Sequence, residues 1–210
     1  MGGSTPADGS PRGPAPARKG MPPREKVLAA YADGIAAVVR LAAQVTDWDA
    51  PTPCAGWNAR DLAGHILCIA DYYNRLLDAA LAGQPRTDLP TGGALARMNA
   101  ADLASLPPAD GPERLAAFQA SAERHRDRLP AADWNLVLGI WQTYGPLTVG
   151  EHTGIALAEW HLHAWDFARI IGEDHTPADP ETVAAARFAL TPAPEGPPWT
   201  AVLRWSGRIP

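Results

Sequence analysis

Four stretches of helical periodicity, separated by runs dense in proline and glycine, constrain this chain more than any other feature. Over residues 23–45, apolar residues recur at Val27, Leu28, Tyr31, Ile35, Val38, Val39 and Ala42, with proline in the first turn and Glu25 soon after. That is the pattern of an amphipathic helix. A second helix is announced by Asn58 with Asp61 three residues on, an N-cap spacing, and runs through about Leu81 to Gly83. A third is predicted over 112–129, where Leu115, Phe118 and Ala122 sit at helical spacing among charges. The fourth opens on Thr148 and Glu151, a capping-box spacing, and continues to Gly172; a short fifth follows over 180–190.

The intervening segments read as loop. Residues 84–111 are rich in Gly, Pro, Thr and Asp, with one short helical piece around 94–105. Residues 134–147, WNLVLGIWQTYGPL, hold β-branched and aromatic residues without helical period and read as a strand-like loop or an irregular aromatic lid. The expectation is an all-α fold: a four-helix bundle with a long crossover between helices two and three, a short extra C-terminal helix and negligible strand. Residues 1–22, dense in Gly, Pro, Ser and Ala, are predicted to be a disordered tail ahead of a single domain over 23–210.

At 210 residues and 46 % hydrophobic, the chain can bury one real core. A net charge of -5 without any long basic run argues against nucleic acid or an anionic membrane as partner. No run approaches the length of a membrane span, and the N-terminus lacks a secretory apolar region. Only Cys54 and Cys68 occur, which fits a reducing compartment and predicts a cytoplasmic protein.

Chemistry concentrates in AEWHLHAWD, residues 158–166. Glu159 and His163 are four apart, so their Cβ atoms lie about 5–6 Å from each other on one helix face. A divalent metal, about 2 Å from each ligand atom, can close such a pair. Solvated helix faces carry the same spacing for ordinary reasons, but this stripe also passes Ile155, Ala156, Phe167 and Ile170, and a lone carboxylate among them is costly to ionise. His161 falls on the opposite side. His152 lies roughly 10 Å along the helix, a place for a pocket-mouth, capping or surface role. The best third ligand is His65 in DLAGHILCIADYY, whose face also carries Leu62, Ile69 and Tyr72. Two imidazoles and one carboxylate leave positions open for catalysis, with zinc the first choice and iron, nickel or manganese also suited.

PTPCAGWNARDLAGHIL (51–67) and EWHLHAWDFARIIG (159–172) resemble the two signature segments of the mycothiol-dependent maleylpyruvate isomerase N-terminal family, part of the DinB-like superfamily of metal-binding four-helix bundles. The resemblance implies that His65, Glu159 and His163 hold the metal, usually zinc. It also implies that mycothiol, a low-molecular-weight thiol, binds there as thiolate and attacks an electrophilic small-molecule substrate. The isomerase itself has a further C-terminal domain, whereas here about forty residues follow helix four, so the resemblance of the bundle does not by itself carry maleylpyruvate isomerisation over as an expectation. Trp134, Trp141 and Tyr144 suggest a pocket of its own. Asp166 is read as pairing with Arg169 rather than orienting a ligand, Cys54 and Cys68 as packed thiols, and Trp48 and Trp57 as fixing the loop to the bundle.

Three functions compete: a metal-dependent thiol transferase or isomerase, a non-catalytic metal-binding or structural bundle, and a thiol-independent biosynthetic enzyme acting on a larger apolar substrate. Assembly as monomer or homodimer is left open.

Overall fold

The computed structural model describes residues 20–90, 92–141 and 145–210. Residues 1–19 of the expected tail and Tyr144 lie outside these. Both predicted N-caps form as complete capping boxes. Asn58 and Asp61 exchange hydrogen bonds at the start of α2 (Ala59–Leu81), and Thr148 and Glu151 do so at the start of α5 (Val149–Ile170). Gly83 and Gly172 close these two helices with φ of 73° and 74°, a backbone conformation that a β-carbon would disfavour.

α1 (Arg24–Ala42) and α4 (Gly111–Arg128) complete the bundle. α1 packs on α5 and α4, and α2 packs on the same two, so the four helices form a closed ring of neighbours. At its centre Trp160 of α5 is fully buried, edge-on to Tyr31 of α1 and Phe118 of α4. Gly34 of α1 lets α5 come close: a β-carbon there would stand 2.9 Å from the Trp160 Cβ.

The crossover from α2 to α4 is not mainly loop. It holds β1 (Arg86–Leu89) and α3 (Gly92–Ser105), the latter matching the helical piece expected over 94–105. Nor is strand negligible. β2 (Val137–Trp141) pairs parallel with β1 and antiparallel with β3 (Gly145–Thr148), giving a three-stranded sheet in the order β1-β2-β3. The strand-like reading of 134–147 was the right half of that alternative. Leu138 of β2 and Leu147 of β3 are buried while Ile140 is exposed; the β2–β3 register shifts between Val137 and Gly139, so burial along β2 does not follow a strict two-residue alternation.

After α5 the chain forms two short helices rather than one, α6 (Pro180–Arg187) and α7 (Pro198–Trp205). Trp199, Val202 and Leu203 bury the inner face of α7. No helix among the described residues is long and apolar enough to cross a membrane.

Candidate metal centre and cleft

The loop of residues 43–58 folds back over the start of α2. Trp48 lies edge-on to Phe167 and against Gly111, where a β-carbon would collide with the indole, and Trp57 packs on the His65 ring at 4.4 Å between centroids. Both tryptophans therefore fix the loop to the bundle.

The three residues expected to share a site come together from α2 and α5. The His65 and His163 rings meet edge to face with centroids 5.2 Å apart, and His163 Nε2 lies 3.9 Å from a Glu159 carboxylate oxygen. Both histidines are buried. His163 Nδ1 is 2.9 Å from Asp166 Oδ2; because an ionised carboxylate only accepts, Nδ1 carries a proton. His163 Nε2 and the Nδ1 of His65 are buried without a hydrogen-bond partner. Burial, with His163 adding to it, pulls the His65 pKa down to about 3, so its imidazole is neutral.

Asp166 does not pair with Arg169, which bonds exposed Asp174 instead. It accepts two bonds from Arg208, at 2.8 Å from Nε and 2.6 Å from a terminal nitrogen, and one from the Cys54 thiol at 3.3 Å. The physical reason is burial. Asp166 has no exposed surface, whereas the Arg169 side chain is 47 % exposed, so only a buried guanidinium can compensate the carboxylate. Burial raises the Asp166 pKa, but His163 and Arg208 outweigh it and bring it to about 2.

Cys54, His163 and Asp166 also stand within metal-ligating distance of one another. They are better understood as a hydrogen-bonded group centred on Asp166. Arg208 already places a positive charge on that carboxylate, and burial together with Asp166 pushes the Cys54 pKa up to about 12, keeping it a protonated donor. On the other side of the His163 ring, Nε2 faces the Glu159 carboxylate at 3.9 Å with the His65 ring beside it, residue types that suit a divalent cation, although among the described residues only Cys54, His163 and Asp166 bring three ligand atoms within 4.8 Å of one another.

Beside these groups a cavity of about 160 Å³ runs between α2, α3, α5 and the sheet. Glu159 and His65 stand in its wall. Cys68, expected in the core, instead lines this cleft half-buried, because the turn after His65 faces the same opening. His152 lines it as well, but as a buried residue edge-on to Tyr73 at 4.5 Å rather than a surface or capping one. The first turn of α5 is tied down by Val149 and Gly150 N–H bonds to the Leu136 and Trp134 carbonyls. Trp141 is a lining residue and Trp134 is not among them. His161 faces away, bonded to Ala30 and His175.

Sequence reasoning missed Arg208, whose partner is 42 positions away, and the buried Tyr73 in the cleft wall with His125 behind it. A lone arginine in a short tail carries no local signal of such a role.

Among solved structures the chain is similar to the crystal structure of the mycothiol-dependent maleylpyruvate isomerase, with a TM-score of 0.56 and 16 % identity. That similarity covers 70 % of this chain and 61 % of that one, so the chain spans under two thirds of the length of that protein. It supports the DinB-like bundle fold. No curated protein matches the chain in sequence. The family described as the mycothiol maleylpyruvate isomerase N-terminal domain matches residues 28–168, a stretch that holds Cys54, Trp57, His65, Glu159, His163 and Asp166. From α1 to near the end of α5, therefore, this chain belongs to the mycothiol maleylpyruvate isomerase N-terminal domain family.

Proposed function

We propose that the chain is a metal-dependent enzyme of the mycothiol-dependent isomerase or transferase type, with His65, Glu159 and His163 as the protein ligands of a divalent metal, zinc first. One observation carries this reading: His163 Nε2 is buried without a hydrogen-bond partner 3.9 Å from Glu159, with the His65 ring alongside, while Asp166 holds its other nitrogen. A metal bound there would supply a Lewis acid able to keep a low-molecular-weight thiol, mycothiol in this family, as its thiolate.

The protein's own residues do the rest. Asp166, compensated by Arg208, fixes the His163 tautomer and ring orientation. Trp57 covers the His65 ring and keeps water from that side. The cleft receives the small electrophilic substrate. A reducing cytoplasm suits both a free thiol cofactor and two unbridged cysteines, and the working unit is a monomer or homodimer.

The test is elemental analysis of the purified chain beside His163→Ala, followed by titration of mycothiol into the cobalt-substituted protein. About one metal per chain in the parent, lost in the variant, and a thiol-dependent change in the cobalt spectrum are expected. Equal metal in both samples, or a spectrum that mycothiol leaves untouched, would overturn the reading.

A further inference from the structure

The cleft beside the three candidate ligands is walled by Ile69 and Leu76 of α2, Leu147 of β3 and Ile155 of α5. Leu95 and Met98 of α3 form its lip. α3 has no buried residue, and Leu95 is 39 % exposed, an apolar side chain held at the opening.

The charged groups in this lining are both acids, Glu159 and Asp102. No lysine or arginine lines the cleft among the described residues. The stretches 87–89, 91 and 142–144, next in sequence to lining residues, contain no basic residue either. Nearby cations flank the cleft without lining it: Arg208 is bonded to Asp166, and Arg75 and Arg86 stand 5.9 and 5.7 Å from the ring centroid of the lining residue Tyr72. The remaining titratable lining residues bring no positive charge, since burial, then His125, takes the His152 pKa to about 3.

We infer that this cleft binds an uncharged, largely apolar substrate and disfavours dicarboxylates. The inference rests on the metal-thiolate reading above. With a metal and thiolate bound there, Glu159 and the thiolate would together offset a divalent cation, leaving Asp102 as the remaining charge in the lining. A dianion would then enter an apolar cavity with no counter-charge and beside a like one. A neutral molecule meets Ile, Leu, Met and Trp surface, with Tyr73 and His152 as its polar contacts at the inner wall.

The experiment uses the full chain as purified, with mycothiol added. The neutral fluorophore N-phenyl-1-naphthylamine is bound in the cleft and displaced by a matched pair, dimethyl phthalate and phthalate. The diester should displace it at least about tenfold more effectively than the dianion, as expected for a carboxylate without a partner. Asp102→Lys, on a helix whose residues are not buried, should narrow that gap. Failure of the fluorophore to bind, phthalate equalling or exceeding the diester, or a ratio unmoved in Asp102→Lys would each overturn the inference.

Metal content measured on the same samples separates the two readings. Metal-free protein that still prefers the diester keeps the substrate class and loses the metal reading. Metal-loaded protein that prefers phthalate does the reverse.

Discussion

His161 and His163 sit two residues apart on α5 and face opposite worlds. His161 looks toward α1 and the loop before α6, and both its nitrogens are engaged: Nε2 donates to the Ala30 carbonyl at 3.0 Å, and Nδ1 accepts from His175 Nε2 at 3.1 Å. The His175 carbonyl in turn accepts from Trp199 Nε1, and the two imidazoles stack within 9° of parallel. On the cleft side the same residue type is left unsatisfied at His163 Nε2, His65 Nδ1 and His152 Nδ1, and at both nitrogens of His125 behind them. A buried polar atom without a partner costs about 1–3 kcal/mol. Burial is common to both faces; the imidazole hydrogen bonds close on the His161 side and not on the cleft side.

That contrast can be broken in a crossed pair of variants. His163→Ala should abolish stoichiometric metal with the helical circular dichroism intact. His161→Ala should leave metal content alone and lower stability by about 2–4 kcal/mol, the cavity plus the unpaired Ala30 carbonyl and His175. If both variants lose metal alike, the two faces are not functionally distinct. Asp166→Asn tests the outer bond of the cleft side. It leaves Arg208 without its counter-charge and should cost about 3 kcal/mol in urea unfolding, with metal affinity down about 10–100-fold.

The far side should show itself in acid. Burial first, then His161, lowers the His175 pKa to about 4, with Asp33 opposing and Arg40 assisting. A histidine depressed on folding contributes stability that is complete above its unfolded pKa of about 6.5 and falls as pH drops through that value toward 4, because the unfolded chain takes up the proton first. His175→Gln should flatten that slope by up to about 2 kcal/mol between pH 6.5 and 4. An unchanged slope would mean that the stacked pair is not proton-linked to folding. The smallest effect is expected for Gly34→Ala. Its β-carbon would crowd Trp160 and His161, outweighing the helix preference of alanine by about 1 kcal/mol in thermal unfolding while metal content stays at the parent value.

Much of this was legible in the sequence because it is local. The capping boxes at Asn58–Asp61 and Thr148–Glu151 mark helix starts by spacing alone, and the opposite orientations of His161 and His163 follow from the turn angle of α5. The approach of His65 to His163 could be anticipated from two inward faces, although not its distance. The sheet was hidden because β1 reaches β2 in parallel across a span that includes α3 and α4, a pairing no neighbouring residues announce. Asp166 was misassigned for a related reason. An i, i+3 arginine is the natural partner only where both side chains reach water, and the burial that rules it out is a tertiary fact.

The bond from Arg208 to Asp166 also has an order in time. α1, α2, α4 and α5 have all been synthesised before residue 208 exists, so the bundle can close around Asp166 while its counter-charge is still missing. The helices come first and the compensating guanidinium last. A chain stopped just short of Arg208 would therefore be expected to carry the whole bundle, the loop with Cys54 and every candidate ligand, and yet hold a buried carboxylate with its strongest partner absent.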